Sequence, residues 1–404
     1  ASRLPVIEGA SLSSLASLAA VTLAAAVLLA ACSPGGRLLG TDPAPRATPP
    51  AATERPVAAA DPQPISLPAD EAPHDRLTEW WYYTGHLRTD DGRRFGFEYV
   101  IFRAERGAFP VSWASHLALT DEAGRRFRYD QRSEIGPQVD GSQPRRGFDL
   151  SITARDAIGL PLAGAAPWAM TGTGGSDRLQ ATSEAAGFGL DLALGPDDRP
   201  VALHDEDGWI DFGPAGGSYY YSRTRMPASG TLTLDGEPLG VEGTAWFDHQ
   251  WGDFISVGGG GWDWFAVNLD DGTDLTLSLV RAADGSYPLV YGTSVRPDGT
   301  TAHLGPGDFR VEPTGSWTSP ATGAIYPSGW RVRLPGEALD LTLTPTLEDQ
   351  ELDTRETTGV VYWEGSQRVI GTRDGAPVAG DGYVELTGYG PSGIGEAPGG
   401  GATP

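Results

Sequence analysis

Apolar and polar residues alternate along most of the chain beyond residue 73. Phe95, Phe97, Tyr99 and Ile101 take every second position, as do Leu232/Leu234, Leu275/Leu277/Leu279 and Leu339/Leu341/Leu343. A period of two puts such a set on one face of a strand. Asp-Gly pairs start at 91, 140, 207, 235, 271, 284, 298, 374 and 381, and Asp-Gly between alternating runs marks a hairpin. Gly and Pro interrupt most windows of helical length, so the pattern predicts an all-β chain of antiparallel hairpins. Residues 159–175, rich in Gly, Ala and Pro, read as a long loop. Modules of this kind are sandwiches or up-and-down barrels, and a barrel of about eight strands can hold one small apolar ligand.

The pattern also repeats. Trp81-Tyr82-Tyr83 is followed by Leu87, an Asp90-Asp91-Gly92 turn, a strand and Arg103-Ala104. Trp264-Phe265 is followed by Leu269, Asp270-Asp271-Gly272, a strand and Arg281-Ala282. Two related β modules are therefore expected, at 73–254 and 255–390, with a flexible tail at 391–404.

The first 72 residues do not fit this pattern. Residues 11–31 are uncharged and end in Leu29-Ala30-Ala31-Cys32, which resembles a bacterial lipoprotein signal peptide (residues 1–31) with Cys32 as the lipidated residue. Residues 32–72 contain nine prolines and read as a tether. The expected location is exported and lipid-anchored, on the outer face of the cytoplasmic membrane or in the periplasm. Cys32 is the only cysteine, so no intramolecular disulfide forms. With 29 basic and 53 acidic residues the net charge is −24. That balance excludes a nucleic-acid partner, which requires a basic footprint.

The densest chemistry lies at Trp246-Phe247-Asp248-His249-Gln250-Trp251-Gly252. Strand geometry puts Trp246, Asp248 and Gln250 on one face and Phe247, His249 and Trp251 on the other. A polar pair in an aromatic run is either a pocket wall with chemistry or a tied corner between modules. After four glycines at 258–261 comes a second set, Trp262-Asp263-Trp264-Phe265. The two acids could face one cavity. The six histidines (74, 86, 116, 204, 249 and 303) are scattered, so no metal site is expected. No nucleophile elbow or phosphate loop is present. Acid chemistry on an apolar substrate fits better. A carboxyl among tryptophans stays protonated more readily, and aromatic faces stabilise a developing cation.

Several ordered motifs resemble one family. They are Glu79-Trp80-Trp81-Tyr82-Tyr83-Thr84-Gly85-His86-Leu87, Asp248-His249-Gln250-Trp251-Gly252, Gly261-Trp262-Asp263-Trp264-Phe265, Gln350-Glu351-Leu352, Tyr362-Trp363-Glu364-Gly365 and Gly382-Tyr383-Val384-Glu385-Leu386-Thr387-Gly388-Tyr389. Together they look like the AttH-like proteins that include carotenoid 1,2-hydratase (hydroxyneurosporene synthase). The resemblance implies two consecutive lipocalin-like antiparallel β-barrels. It also implies cofactor-independent, acid-initiated addition of water to a C=C bond of a carotenoid or other isoprenoid. Asp248, His249, Trp251 and Asp263 would be catalytic. Trp80, Trp81, Tyr82, His86, Trp246, Trp262 and Trp264 would line the ligand. The alternative is a non-catalytic lipid or terpenoid carrier serving a membrane transporter.

Overall fold

Strands form wherever the period-two pattern runs, and their two faces bury different things. The computed structural model describes residues 60–155, 160–162, 164–254 and 259–391; Cys32, the signal peptide expected at 1–31 and all but the first residue of the tail expected at 391–404 lie outside them. A first sheet contains β1 (Thr78–Arg88), β2 (Arg94–Arg106), β3 (Phe109–Asp121), β4 (Arg126–Ile135), β5 (Phe148–Ile152), β6 (Trp168–Thr173), β7 (Ser176–Ser183), β8 (Phe188–Leu194), β9 (Ala202–Leu203), β10 (Trp209–Asp211), β11 (Gly217–Leu234) and β12 (Glu237–Gly252). A second contains β13 (Gly259–Leu269), β14 (Asp274–Ala282), β15 (Leu289–Val295), β16 (Thr301–Leu304), β17 (Arg310–Thr318), β18 (Ile325–Leu334), β19 (Leu339–Pro345), β20 (Glu351–Asp353), β21 (Val361–Arg373) and β22 (Ala376–Leu386). Every ladder between these strands is antiparallel. The helical pieces among the described residues are three-residue 3-10 turns, and none is long and apolar enough to cross a membrane.

Each sheet curls into a lipocalin-like barrel or half-barrel, with its first and last strands paired in mid-sheet and its edges at β4 and β5 in the first and at β16 and β17 in the second. β1 pairs β12 and β13 pairs β22. The free edge of β4 is closed by side chains: Glu134 accepts from the Thr153 N–H at 2.8 Å, and the Arg132 guanidinium donates to the Ala166 carbonyl at 2.8 Å. Asp-Gly turns work as expected at 235–236, where Asp235 (φ 51°) and Gly236 (φ 87°) adopt the left-handed pair of a tight hairpin turn. The loop expected over residues 159–175 ends early, because Trp168 and Met170 alternate into the first core as β6.

The tether expected through residue 72 also ends early. Ile65 and Leu67 pack on the first core, and the Gln63 N–H donates to the Tyr219 hydroxyl at 2.7 Å. Glu71 is fully buried and accepts from the Arg223 guanidinium at 2.5 Å. A buried carboxylate paired in this way fixes its own chain segment, whatever the proline content of its neighbours.

Alternation gives each barrel an inner face and an outer face. Trp81, Tyr83, Phe97, Tyr99 and Phe247 point into the first barrel, and Phe265, Val267, Leu277 and Trp330 into the second. The outer faces of β1, β2 and β12 meet those of β13, β21 and β22 in a third apolar cluster, which includes Tyr82, Val100, Trp246, Trp264 and Tyr383. We call this contact the seam. Gly96 allows the close approach there: a Cβ on it would lie 2.6 Å from the Cβ of Ser366.

Candidate functional site

The register of β1 against β12 sets the two faces side by side: Tyr82 is opposite Asp248 and Trp81 is opposite His249. The adjacent pair Asp248–His249 is thereby split across the sheet. Asp248 lies at the seam, and His249 lies inside the first barrel with Trp81 and Trp251. Asp263 shares the inner face of β13 with Phe265 and lies within the second barrel, so the acids at 248 and 263 do not share one cavity. Asp263 meets the Arg281 guanidinium at 3.2 Å and the Tyr389 hydroxyl at 3.0 Å. Burial pushes its carboxyl up to about 6 despite these partners.

Most of the aromatic positions expected to line a ligand do converge, and they converge on the seam. Trp246 meets Trp264 edge-on at 6.1 Å, Tyr82 meets Trp264 at 5.3 Å, and Trp80 stacks on Trp262 at 6.5 Å. Trp262 is 39% exposed and forms the rim. His86 faces the seam through Ser366, at 3.2 Å, and burial lowers its imidazole to about 4, so it is neutral. The glycines at 259–261 belong to β13 itself, as a bulge before Trp262.

Asp248 is buried, and burial pushes its carboxyl to about 6. Both of its oxygens are already engaged. The Tyr220 and Ser222 hydroxyls and the Trp246 indole N–H all donate to it. Tyr220 in turn accepts from the Trp264 indole at 3.0 Å. His204 bridges Ser222 at 2.7 Å and Thr293 of the second barrel at 2.8 Å. Asp248 is thus the hub that ties the barrels together.

The acids with unoccupied oxygens are others, and the sequence reading did not single them out. Glu98 on β2 and Glu364 on β21 are fully buried. Among the described residues neither Glu98 oxygen has a hydrogen-bond partner, nor has Oε2 of Glu364. The other Glu364 oxygen accepts from the Tyr82 hydroxyl at 2.7 Å. Glu385 on β22 stands directly opposite both Glu364 and Trp264. Burial, then the neighbouring glutamates, raises the Glu98 and Glu364 carboxyls well above the usual range, and burial brings Glu385 to about 7. Buried carboxyls of this kind hold their protons. One signal in the sequence could have revealed them: each is a lone acid next to at least one bulky apolar residue, as in Phe97-Glu98-Tyr99, Trp363-Glu364-Gly365 and Val384-Glu385-Leu386.

Inside the first barrel, the Glu79 carboxylate stands between two imidazoles. Its Oε1 lies 2.7 Å from His74 Nδ1 and 2.9 Å from His249 Nε2. Trp251 stacks on His74 at 4.2 Å, and Trp81 stacks on His249 at 4.7 Å. The fold thus gathers a set that the scattered histidines of the sequence did not suggest. Two open clefts, of about 590 Å³ beside Arg88 and Pro227 and about 1020 Å³ beside Arg132 and Glu184, are lined by none of these residues.

Residues 58–389 match the family described as AttH-like. No curated protein matches the chain. A crystal structure of an AttH protein from Nitrosomonas europaea is 34% identical, with a TM-score of 0.68, covering 82% of this chain and 100% of that one. Kievitone hydratase from Nectria haematococca is 17% identical, with a TM-score of 0.62, covering 80% and 93%, a likeness in fold alone.

Proposed function

The chain belongs to the AttH-like family, and from that membership and the seam's chemistry we propose a hydratase-like enzyme that adds water to a C=C bond of a long apolar ligand of the carotenoid or isoprenoid class. The observation that carries this reading is the pair Glu98 and Glu364, two buried carboxyls from different barrels, set on the seam that holds the aromatic cluster of Tyr82, Trp246 and Trp264. The ligand enters beside the exposed rim of Trp262. The Glu98 carboxyl gives its proton to the terminal alkene carbon. The cation left on the neighbouring carbon is stabilised by indole faces. Water adds there, and its surplus proton returns to the carboxylate, so the net change is one water added. Glu364, held by Tyr82, orients that water. His249, Trp251 and Asp263 stand outside this site; they shape the barrel interiors. The name of the Nectria haematococca neighbour, a hydratase, agrees with this reaction class.

The competing reading is a carrier of lipid or terpenoid that works beside a membrane transporter. It is favoured by the saturation of Asp248, whose three hydrogen-bond donors make it a structural tie. Incubating the full chain in detergent with lycopene or neurosporene separates the two. The hydratase reading expects a product heavier by one water. Polyene binding without product supports the carrier.

The location belongs to the same proposal. A lipidated Cys32 holds the barrels at the outer face of the cytoplasmic membrane or in the periplasm. Two or more acyl chains anchor stably where one does not. Cys32→Ser is expected to move the protein from the membrane fraction to the soluble one; a variant that stays with the membrane would remove the lipid anchor from the proposal.

A further inference from the structure

The His74–Glu79–His249 cluster stands apart from the seam and has a charge problem of its own. Its three candidate donor atoms lie within 4.8 Å of one another. His74 Nδ1 and His249 Nε2 both point at the same carboxylate oxygen. The outer nitrogens have partners of their own. Nε2 of His74 lies 3.7 Å from the Asp70 carboxylate, and Nδ1 of His249 lies 3.4 Å from the Tyr221 hydroxyl.

A neutral imidazole carries one N–H and one lone pair. If His74 uses its N–H towards Asp70, its Nδ1 lone pair faces the Glu79 carboxylate at 2.7 Å, which is repulsive. If it uses the N–H towards Glu79, the lone pair faces Asp70. His249 escapes this conflict when neutral, with Nε2–H donating to Glu79 and Nδ1 accepting from the Tyr221 hydroxyl, so the strain sits at His74, between two carboxylates. The arrangement is relieved by added protons or by a cation between the three groups. Outer-nitrogen partners such as Asp70 and Tyr221 are the usual supports of metal-bound imidazoles, because they fix the tautomer and aim the inner lone pair. Two imidazoles and one carboxylate are the donor set of open, three-ligand sites for divalent first-row metals. Glu79 and His249 are fully buried, whereas the His74 side chain is 21% exposed, which gives an ion a way in.

We propose that His74 Nδ1, a Glu79 carboxylate oxygen and His249 Nε2 form a binding site for one divalent transition-metal ion, with Zn²⁺ as the natural probe. Asp70 and Tyr221 support it from outside, and Trp81 and Trp251 wall it in.

The experiment uses the full chain, stripped with a chelator. Zn²⁺ is titrated by calorimetry, and Co²⁺ is followed by its visible absorption. One ion per chain is expected, with the Co²⁺ bands of a mixed nitrogen–oxygen site. Glu79→Gln and His249→Ala should abolish binding. Because both positions are buried, His74→Ala serves as the variant at a partly exposed position and should also abolish it. Asp70→Asn should weaken it by about 10–100-fold. No Zn²⁺ binding by the unaltered chain, or binding that His74→Ala leaves unchanged, would overturn the proposal and leave the three groups sharing protons only.

Discussion

Glu98→Gln is expected to make the protein more stable at pH 8, by about 1 kcal/mol or more, since each unit of pKa displacement is worth about 1.4 kcal/mol. The direction follows from linkage. Burial, and then the charge of Glu385, raises the Glu98 carboxyl of the folded state above its ordinary value of 4.5. Below that value both states hold the proton and the residue has no effect on the pH dependence. As pH rises from 4.5 towards the folded-state value, the unfolded chain ionises while the folded chain cannot, and stability falls. Glutamine keeps the shape and stays neutral in both states, so the loss disappears. Denaturant unfolding at pH 4, 6 and 8 reads this out. The gain should be near zero at pH 4 and largest at pH 8. A variant that is less stable at pH 8 would mean that Glu98 is ionised and paired in the folded protein.

A second large effect is expected at Asp274, the ionic tie between the barrels. Its buried carboxylate accepts from Arg199 at 2.5 Å, Arg225 at 2.5 Å, Thr224 at 2.7 Å and Asn268 at 2.7 Å. Arg199, Thr224 and Arg225 come from the first-barrel half of the chain, and Asn268 from the second. Removing one partner of a buried network leaves the other charges unpaired. Asp274→Ala should therefore cost about 3–5 kcal/mol, measured by denaturant unfolding. Arg199 retains Asp197, at 2.9 Å, which places the effect towards the lower end of that range. A loss below about 1 kcal/mol, typical of a surface pair, would show that the barrels do not depend on this tie.

Local pattern carried the sequence reading a long way. Phe95, Phe97 and Tyr99 announced β2, and Asp235-Gly236 announced the β11–β12 turn. The period of two correctly set Asp248 and His249 on opposite faces. It could not say what each face meets, because that depends on how β1 pairs β12 and how the two sheets dock. Glu79 reaches His249 across 170 residues, and Tyr82 reaches Glu364 across 282. Such partners leave no trace in spacing. For the same reason spacing shows the aromatic set but not which acids the docked sheets place beside it. Asp248 stood out beside a histidine and tryptophans, whereas Glu98 and Glu364 are single acids in strands that otherwise read as core. Proline content makes residues 60–72 read as tether, whereas Ile65, Leu67 and Glu71 supply the anchors that seat them.

The chemistry assigned to the seam rests on Glu98 delivering a proton to an alkene and Glu364 orienting the water that follows. Its sharpest test is conversion of lycopene or neurosporene in ¹⁸O-labelled water by the full chain and by the double variant Glu98→Gln/Glu364→Gln, with polyene binding measured in parallel. General acid catalysis contributes about 10²–10⁴-fold. The unaltered chain should form a product carrying one labelled oxygen, and the double variant should bind the polyene but lose at least about 100-fold in rate. A double variant that hydrates as fast as the unaltered chain would remove the seam acids from the reaction.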